Sequence, residues 1–262
     1  MKEARTLTKD KRSPLKDKPL RNPGQSLDEQ IHDLISDYAL GPLVFALFVV
    51  LIAVLEWLKY YWSVPRSPIL YSFVAIPPLA YAVLRFFRVK REWETLRLGR
   101  DGEKDVGQKL EVLREAGYEV FHDIIGDGFN IDHVLIGPAG VFTVETKTYS
   151  KRPGNPSVVF DGNKVLIDGL EPDRNPVVQA KVQAGWLREL LSESTGQKYD
   201  VRPVIVYPGW FVENRSPGKK TIWVLNPKGL PGFLDHEPVQ LTSEEAQLAS
   251  FHLNRFARTD KS

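Results

Sequence analysis

The chain has 262 residues, with 35 lysines and arginines against 33 aspartates and glutamates, and no cysteine. Its length fits one globular domain with an accessory segment. The absence of cysteine excludes disulfides and thiolate zinc sites. The net charge of +2 does not by itself indicate a nucleic-acid binder. Local basic patches therefore matter more, namely Lys151-Arg152 and Lys219-Lys220, although such pairs in loops are usually only solvated.

The first 40 residues are basic and contain several prolines. This composition predicts a cytoplasmic tail that is flexible up to Gln25. Apolar and polar residues then alternate with helical periodicity, which predicts a short amphipathic helix over residues 27–38.

Two apolar runs follow the tail. Residues 41–55 carry no charge, and the run continues with Glu56 and Lys59 as its only charged interruptions; residues 69–84 are again uncharged. Each run approaches the roughly 20 residues that a helix needs to cross the hydrocarbon core of a bilayer. The pattern predicts a two-helix transmembrane hairpin over residues 41–87.

Basic residues flank this hairpin on the outside, whereas its connecting loop carries only Arg66. Because cytoplasmic loops are enriched in lysine and arginine, both termini are expected in the cytoplasm. The alternative is a buried helical hairpin of a soluble protein, but Pro77-Pro78 is better tolerated in a membrane helix. The flanking basic residues are Lys9, Lys11, Arg12, Lys16, Lys18 and Arg21 before the hairpin and Arg85, Arg88, Lys90 and Arg91 after it.

A charged juxtamembrane connector, residues 88–99, is predicted to be helical and leads into a predicted helix over residues 99–116 that ends at Gly117. Glu103 begins the apolar stripe of this helix and does not lie on its polar face, so it is a candidate site residue. The rival explanation is that acids favour the first turn of a helix. The stripe continues with Val106, Leu110 and Leu113.

The most informative stretch is a predicted β-hairpin formed by residues 130–136 and 141–147 around Gly137-Pro138-Ala139-Gly140. A turn centred on Pro138 and Ala139 places Asp132 directly opposite Glu145 on one face, with Cβ atoms roughly 4.5–5.5 Å apart. Two facing carboxylates repel each other unless a cation lies between them. The pair therefore predicts a divalent metal site.

Lys147 points to the same face as Glu145 because strand side chains alternate. The alternative is an ordinary solvent-facing strand with scattered charges. Apolar neighbours on that face, Val134, Ile136 and Val141, argue against it. His133 is expected to face away from the acids as a packed histidine.

Further elements follow in order. Residues 158–167 predict a second hairpin, and residues 201–207 and 221–225 predict strands. Asn175 and Pro176 predict the start of a helix that ends at Gly196. Its buried residues are predicted to be Ala180, Ala184, Leu187 and Leu191. Gln179 lies in its first turns, where it either reaches the site or is only a capping or surface residue. Thr242 and Glu245 form a capping box that opens a last helix.

Four of these segments together resemble the nuclease-related domain family, NERD, of the PD-(D/E)xK superfamily, over roughly residues 100–210. The resemblance implies an α/β domain at residues 100–256, with a restriction-endonuclease-like central mixed sheet flanked by helices. It also implies a catalytic set of Glu103, Asp132, Glu145 and Lys147, with Gln179 as a helper. The matching segments are Gly102-Glu103, Asn130-Ile131-Asp132-His133-Val134, Glu145-Thr146-Lys147 and Asn175-Pro176-Val177-Val178-Gln179.

This residue set suits metal-dependent phosphodiester hydrolysis. Mg²⁺ or Mn²⁺ prefers oxygen ligands, which Asp132, Glu145 and the carbonyl of Thr146 would supply, with Glu103 holding a metal-bound water or a second ion. Lys147 would act on the attacking water or the phosphate. The expected function is a membrane-anchored nuclease acting on DNA or RNA at the cytoplasmic side.

A second functional class stays open. The chain is alternatively a non-catalytic scaffold or nucleic-acid-binding module that is tethered to the lipid bilayer and retains the nuclease fold. The sequence carries no signal for an oligomeric state. Because no predicted site residue lies before residue 88, deletion of residues 1–87 is expected to leave the core of the domain intact.

Overall fold

A computed structural model of the protein describes residues 19–62, 68–151, 153–154, 156–217 and 221–259. Several residues used in the sequence analysis lie outside this part of the chain. They are Lys9, Lys11, Arg12, Lys16, Lys18, Arg66, Arg152, Lys219 and Lys220.

A long helical hairpin precedes the sheet. Its elements are α1 (Gln25–Asp33), a π-helix (Leu34–Leu40), α2 (Gly41–Tyr61) and α3 (Pro68–Glu111). The helical connector predicted at residues 88–99 is confirmed, but a separate helix that starts at residue 99 is wrong, because α3 is one helix of 44 residues that passes through Pro77 and Pro78. No proline lies between residues 85 and 99 to stop it. A 3-10 turn follows α3, and Gly117 then ends the helical region with a left-handed φ of 82°, as expected.

Two helical segments, Gln25–Tyr61 and Tyr71–Ala116, are long and apolar enough to cross a membrane. Their outward-facing side chains are large and apolar; Leu47, for example, is 68% exposed and Leu84 69% exposed. Between α2 and α3 the buried residues are mostly small and recur every seven positions, which allows two helices to pack closely. They include Ala46 and Ala53 on α2 and Ala75 and Ala82 on α3.

The rest of the chain is a mixed α/β structure. Its strands are β1 (Glu119–Ile125), β2 (Asn130–Gly137), β3 (Gly140–Thr146), β4 (Ser157–Phe160), β5 (Val165–Ile167), β6 (Val201–Val206), β7 (Phe211–Asn214) and β8 (Trp223–Leu225). The main sheet has the order β1-β2-β3-β6-β8, with β1, β2 and β3 antiparallel and β3, β6 and β8 parallel. The helices that accompany it are α4 (Pro176–Thr195), α5 (Leu230–Asp235) and α6 (Ser243–Thr259).

Helices cover both faces of the main sheet. On one face, Val106 and Leu110 of α3 are buried against alternate side chains of β2, β3 and β6. Leu113, in the 3-10 turn that follows α3, is buried in the same cluster. On the other face α4 and α6 pack against Val134, Ile136 and Val141 and neighbouring residues. These three residues are on the sheet face of Asp132 and Glu145, so that face is apolar and buried, as the sequence predicted.

A smaller sheet, ordered β5-β4-β7, packs against the first half of α4. The predicted hairpin over residues 158–167 is its β4–β5 pair. The predicted start of α4 is confirmed, since the side chain of Asn175 accepts a hydrogen bond from the N–H of Val177 and Gly196 ends the helix. Reciprocal hydrogen bonds between Thr242 and Glu245 confirm the capping box of α6. Strands β1 and β7 were not predicted.

The residues before α1 pack on the α/β part of the chain. Leu20 lies against the core on the α4 and α6 side of the sheet, and Arg21 forms an ion pair with Asp123 of β1 at 2.6 Å. The prediction of a flexible tail up to Gln25 is therefore wrong for residues 20–24.

Candidate functional site

The predicted carboxylate pair lies at the end of the β2–β3 hairpin. The pairing of His133 with Val144 and of Leu135 with Phe142 gives the register that places Asp132 opposite Glu145. Backbone pairing stops at His133 and Val144, and Asp132 Oδ2 then accepts a hydrogen bond from the N–H of Thr146 at 2.7 Å. This bond fixes the Asp132 carboxylate across the strand from Glu145.

Glu145 is 3% exposed and is held by α4. Gln179 Nε2 donates a hydrogen bond to Glu145 Oε1 at 2.7 Å, and Gln183 Nε2 donates to Oε2 at 2.6 Å. The N-terminal turns of α4 place both glutamines on the face that meets the sheet. Of the two interpretations of Gln179, the structure thus shows the one in which it reaches the predicted site.

Lys147 follows β3 and turns back to the same carboxylate. Its Nζ lies 2.7 Å from Glu145 Oε1 and donates to Gln179 Oε1 at 3.0 Å. Burial alone would lower the pKa of Lys147, but the charge and hydrogen bond of Glu145 and the charge of Asp132 outweigh burial and raise the pKa. The lysine is therefore a half-buried cation that is fixed beside two carboxylates.

Glu103 approaches from α3. It lies deep inside this helix, so the first-turn explanation for an acid at this position does not apply. Gly102 makes the approach possible, because a Cβ atom there would stand 1.9 Å from Thr148 Oγ1. The helix therefore contacts the chain immediately after Lys147, and only glycine fits at the contact.

The electrostatics of the site are those of crowded carboxylates. Burial, followed by repulsion from Asp123 and Glu145, raises the pKa of Glu103 to about 8. Burial, followed by repulsion from Glu145 and Glu103, raises the pKa of Asp132 well above its usual range. Lys147 lowers both pKa values without cancelling these effects. The site thus carries more negative potential than its single lysine offsets.

His133 points away from the carboxylates, as predicted, and is fully buried. Its Nδ1 lies 2.9 Å from Nδ1 of His122, and its Nε2 lies 3.4 Å from Thr146 Oγ1. Burial lowers the pKa of His133 well below its usual range, and the neighbouring His122 lowers it further. A neutral His133 therefore supports the strand at Thr146 from behind the site.

The sequence analysis missed Gln183, although its position contained a signal. Gln183 stands four residues after Gln179 and inside the buried stripe of α4, where an amide needs a polar partner. It is 1% exposed, and its Nε2 also donates to the carbonyl oxygen of Asn130 at 2.9 Å. Gln183 thus ties α4 to both strands of the hairpin.

Replacing this amide should destabilise the fold. Gln183→Leu leaves the carbonyl of Asn130 and one oxygen of Glu145 without this donor, at a cost of about 1–3 kcal/mol in the free energy of unfolding. Chemical denaturation checks the value. Gln247→Leu, on the exposed part of α6, is the matched control and should change stability by less than about 0.5 kcal/mol. Equal stability of both variants would show that the buried amide contributes nothing.

The donor chemistry of the site fits a hard cation, since Asp132, Glu145 and Glu103 offer oxygens and their mutual repulsion would be relieved by positive charge. Within the described ranges, however, no group of three or more histidine, cysteine, aspartate or glutamate side chains is already arranged to hold a metal ion. The reason is visible at Glu145, whose two oxygens contact Lys147, Gln179 and Gln183.

Comparison with known proteins gives one informative match. The family model of the nuclease-related domain, NERD, matches residues 98–208. This range contains Glu103, Asp132, Glu145, Lys147, Gln179 and Gln183. The match indicates a nuclease-related function for this part of the chain.

Two further similarities are limited. An uncharacterised protein from Bacillus anthracis is 43% identical over 56 residues, which are 20% of this chain and 26% of that protein. The crystal structure of protein VC1899 from Vibrio cholerae gives a TM-score of 0.24 at 14% identity, over 88% of this chain and 58% of that one. The chain thus spans about a quarter of the length of the first relative and under two thirds of the second. Such a TM-score is too low to indicate a common fold.

Proposed function

We propose that the protein is a membrane-anchored, metal-dependent nuclease that hydrolyses phosphodiester bonds of DNA or RNA on the cytoplasmic side. The observation that carries the proposal is the cluster at the end of β3. There, a buried Glu145 is paired with Lys147 and lies opposite Asp132, within the residues that match the nuclease-related domain.

In this proposal Asp132, Glu145 and the carbonyl of Thr146 hold Mg²⁺ or Mn²⁺, and Glu103 holds a metal-bound water or a second ion. The cation would supply Lewis-acid polarisation of the phosphate and a water of lowered pKa. Oxygen ligands suit either ion. The contacts of Glu145 with Lys147 and Gln179 would have to rearrange to admit it, and both side chains have flexible stems that permit this.

Lys147 then carries the chemistry that the protein itself performs. Its ammonium group, kept charged by Glu145, orients the attacking water or stabilises negative charge on the phosphate. Gln179 links Lys147 to Glu145 through one amide and so sets their relative orientation. Gln183 holds the second oxygen of Glu145 in place.

Membrane anchoring is supported by the helical hairpin. The exposed surface of α2 and of the first half of α3 is covered by large apolar side chains, which water would disfavour. Small residues fill the space between the helices, as in helix pairs that pack within lipid. Arg85, Arg88, Lys90 and Arg91 follow the second apolar run, which favours a cytoplasmic location for the α/β part of the chain.

A non-catalytic scaffold is the second candidate, and one observation favours it. Both oxygens of Glu145 are satisfied by two amides and the ammonium group of Lys147, with no need for a metal ion. A module that only retains the fold would show this arrangement and would bind no divalent ion at the site.

A cleavage assay separates the two candidates. The full chain in detergent or membranes is incubated with single- and double-stranded DNA and RNA, with Mg²⁺, with Mn²⁺ or with a chelator. The nuclease proposal expects cleavage of at least one substrate that depends on the metal. Absence of cleavage together with absence of metal binding would contradict the nuclease proposal and support the non-catalytic scaffold. Reporter fusions at the C-terminus test the topology, and a reporter on the non-cytoplasmic side would contradict the proposed location.

A further inference from the structure

We infer that the segment before the membrane hairpin, residues 20–30, completes the candidate site by positioning Glu103. This segment is called the N-terminal strap below. It lies outside the matched residues 98–208 and precedes α2 in the chain. The inference rests on the proposed function for its catalytic consequence, but not for the docking of the strap.

The strap is anchored on a buried acid. Asp123 is 2% exposed and has a left-handed φ of 51°, which interrupts the pairing of β1 with β2. Arg21 Nε donates to Asp123 Oδ2 at 2.6 Å. The N–H of Ser26 donates to the same oxygen at 2.9 Å, and its Oγ donates to Oδ1 at 2.6 Å. Asn130 joins them by donating to Ser26 Oγ at 2.6 Å.

Asp123 is thus a strained, buried carboxylate whose hydrogen-bond donors come mainly from the strap. A buried carboxylate is kept only where such partners are present. Left-handed backbone at a residue other than glycine also persists only when the surroundings hold it. Both features are what a specific docking site for residues 20–30 requires.

The strap then contacts α3 on either side of Glu103. A Cβ atom at Gly107 would stand 2.7 Å from Cβ of Pro23, so the strap lies directly against the backbone of the helix there and a side chain at residue 107 would move it slightly outwards. Asp28 accepts from Arg100 at 3.2 Å and from Lys104 at 2.7 Å. These contacts bracket Glu103 along the helix.

Gly24, which has a left-handed φ of 70° at the start of α1, lies against the same stretch of α3, because a Cβ atom there would stand 3.3 Å from the carbonyl oxygen of Arg100. Asp123, which the strap contacts, also repels the carboxylate of Glu103. Arg21 forms an ion pair with Asp123 and thereby reduces the repulsion between Asp123 and Glu103. The strap therefore acts on Glu103 twice, by fixing α3 on both sides of it and by compensating the neighbouring acid. Arg21 and Ser26 are positioning residues in this sense, because they act through Asp123.

One earlier expectation is corrected by these contacts. Deletion of residues 1–87 was expected to leave the core of the α/β domain intact. It would remove Leu20 from that core and Arg21 and Ser26 from Asp123, leaving a buried carboxylate beside Glu103. The experiments below therefore use the full chain.

Docking is tested by a disulfide, since the chain has no cysteine of its own. Pro23→Cys with Gly107→Cys places two sulfur atoms where a small outward shift gives the Cβ separation of about 3.5–4.5 Å that a disulfide needs. The bond should form on mild oxidation, and the cross-linked protein should keep wild-type metal binding and cleavage. The matched control, Pro23→Cys with Ser243→Cys, should not cross-link. No bond in the first pair would overturn the docking.

Positioning is tested by a double-mutant cycle read out as Mn²⁺ affinity, which does not require cleavage. Arg21→Met combined with Ser26→Ala should weaken Mn²⁺ binding about 10- to 100-fold, as losses of groups that orient metal ligands do. In a Glu103→Gln background the same pair of changes should have no further effect, because the residue on which they act is already neutral. A general loss of folding would instead lower affinity by the same factor in both backgrounds.

The outcomes separate the inference from the proposed function. Cross-linking and the non-additive cycle without any cleavage would contradict the nuclease while supporting the strap. Equal factors in both backgrounds, or unchanged Mn²⁺ affinity, would overturn the positioning role. A cross-linked protein that is inactive until it is reduced would also overturn it, since the docked strap would then be inhibitory. Failure of wild-type protein to bind Mn²⁺ would overturn the positioning role and the metal-dependent function together, while the disulfide still reports docking.

Discussion

Asp132→Asn is expected to abolish cleavage, with a loss of at least about 10³-fold, because a first metal ligand is worth several kcal/mol to the transition state. The substitution should leave the local structure unchanged. The side-chain oxygen of the asparagine can accept the hydrogen bond from the N–H of Thr146, so the strand keeps its local geometry. Metal binding should fall with activity. Calorimetry with Mn²⁺ and a cleavage assay measure the two effects.

The same substitution should stabilise the protein when metal is removed by a chelator. The folded protein raises the pKa of Asp132, so the folded state resists its ionisation while the unfolded chain ionises near about 3.9. Wild-type stability is therefore lost as the pH rises above this value, and asparagine avoids that loss. The difference in melting temperature should be present at pH 7 and vanish below about pH 3.9.

Asp127→Asn is the control for both effects, because Asp127 is an exposed acid in the turn between β1 and β2. It should leave cleavage, metal binding and melting temperature unchanged. Wild-type cleavage by Asp132→Asn would mean that the activity arises elsewhere or from a contaminant.

Lys147→Met should reduce cleavage about 10²- to 10⁴-fold, the range lost when a group that acts on a proton or a developing charge is removed. Metal binding should be retained, because the lysine is no ligand and its departure frees Glu145 from an ion pair of 2.7 Å. Loss of cleavage with retained metal binding would distinguish Lys147 from Asp132, whose substitution should lower both. Single-turnover cleavage at saturating metal measures the first property, and Mn²⁺ titration the second.

Lys181→Met provides the matched control, since Lys181 is exposed on α4, the helix that carries Gln179 and Gln183. Unchanged rates are expected for it. A Lys147→Met variant that loses metal binding as completely as Asp132→Asn would show that the lysine maintains the site and does not act in the reaction.

Local signals in the sequence predicted the hairpin of the site and its register. The turn at residues 137–140 is set by neighbouring residues, and the alternation of strands then fixes which side chains face each other. The starts of α4 and α6 were likewise predicted, because Asn175 and Thr242 cap their own helices. In each case the decisive interaction spans only a few residues.

Contacts between distant parts of the chain were not predictable in this way. Asp123 was not singled out from the sequence, and its partner Arg21 lies 102 positions earlier. Gln183 contacts Asn130, which is 53 positions away. Propensity and periodicity describe which face of an element is buried, but they do not say which segment will cover it. The boundary predicted at residue 99 was wrong for another reason, since the change in composition between residues 88 and 99 does not interrupt the helix.

The continuity of α3 has a consequence for how a polyanion would meet the site. Glu103 follows Leu84, the end of the second apolar run, by 19 residues of unbroken helix, which is about 28 Å along its axis. With that run in the bilayer, as proposed, and with about 5–7 Å of headgroup layer beyond the hydrocarbon core, the acidic cluster stands more than two Debye lengths from the lipid headgroups at physiological salt, where this length is about 8 Å. The negative surface potential of the cytoplasmic leaflet has decayed at that distance. Nucleic acid would therefore reach a membrane-bound site without repulsion by the membrane itself.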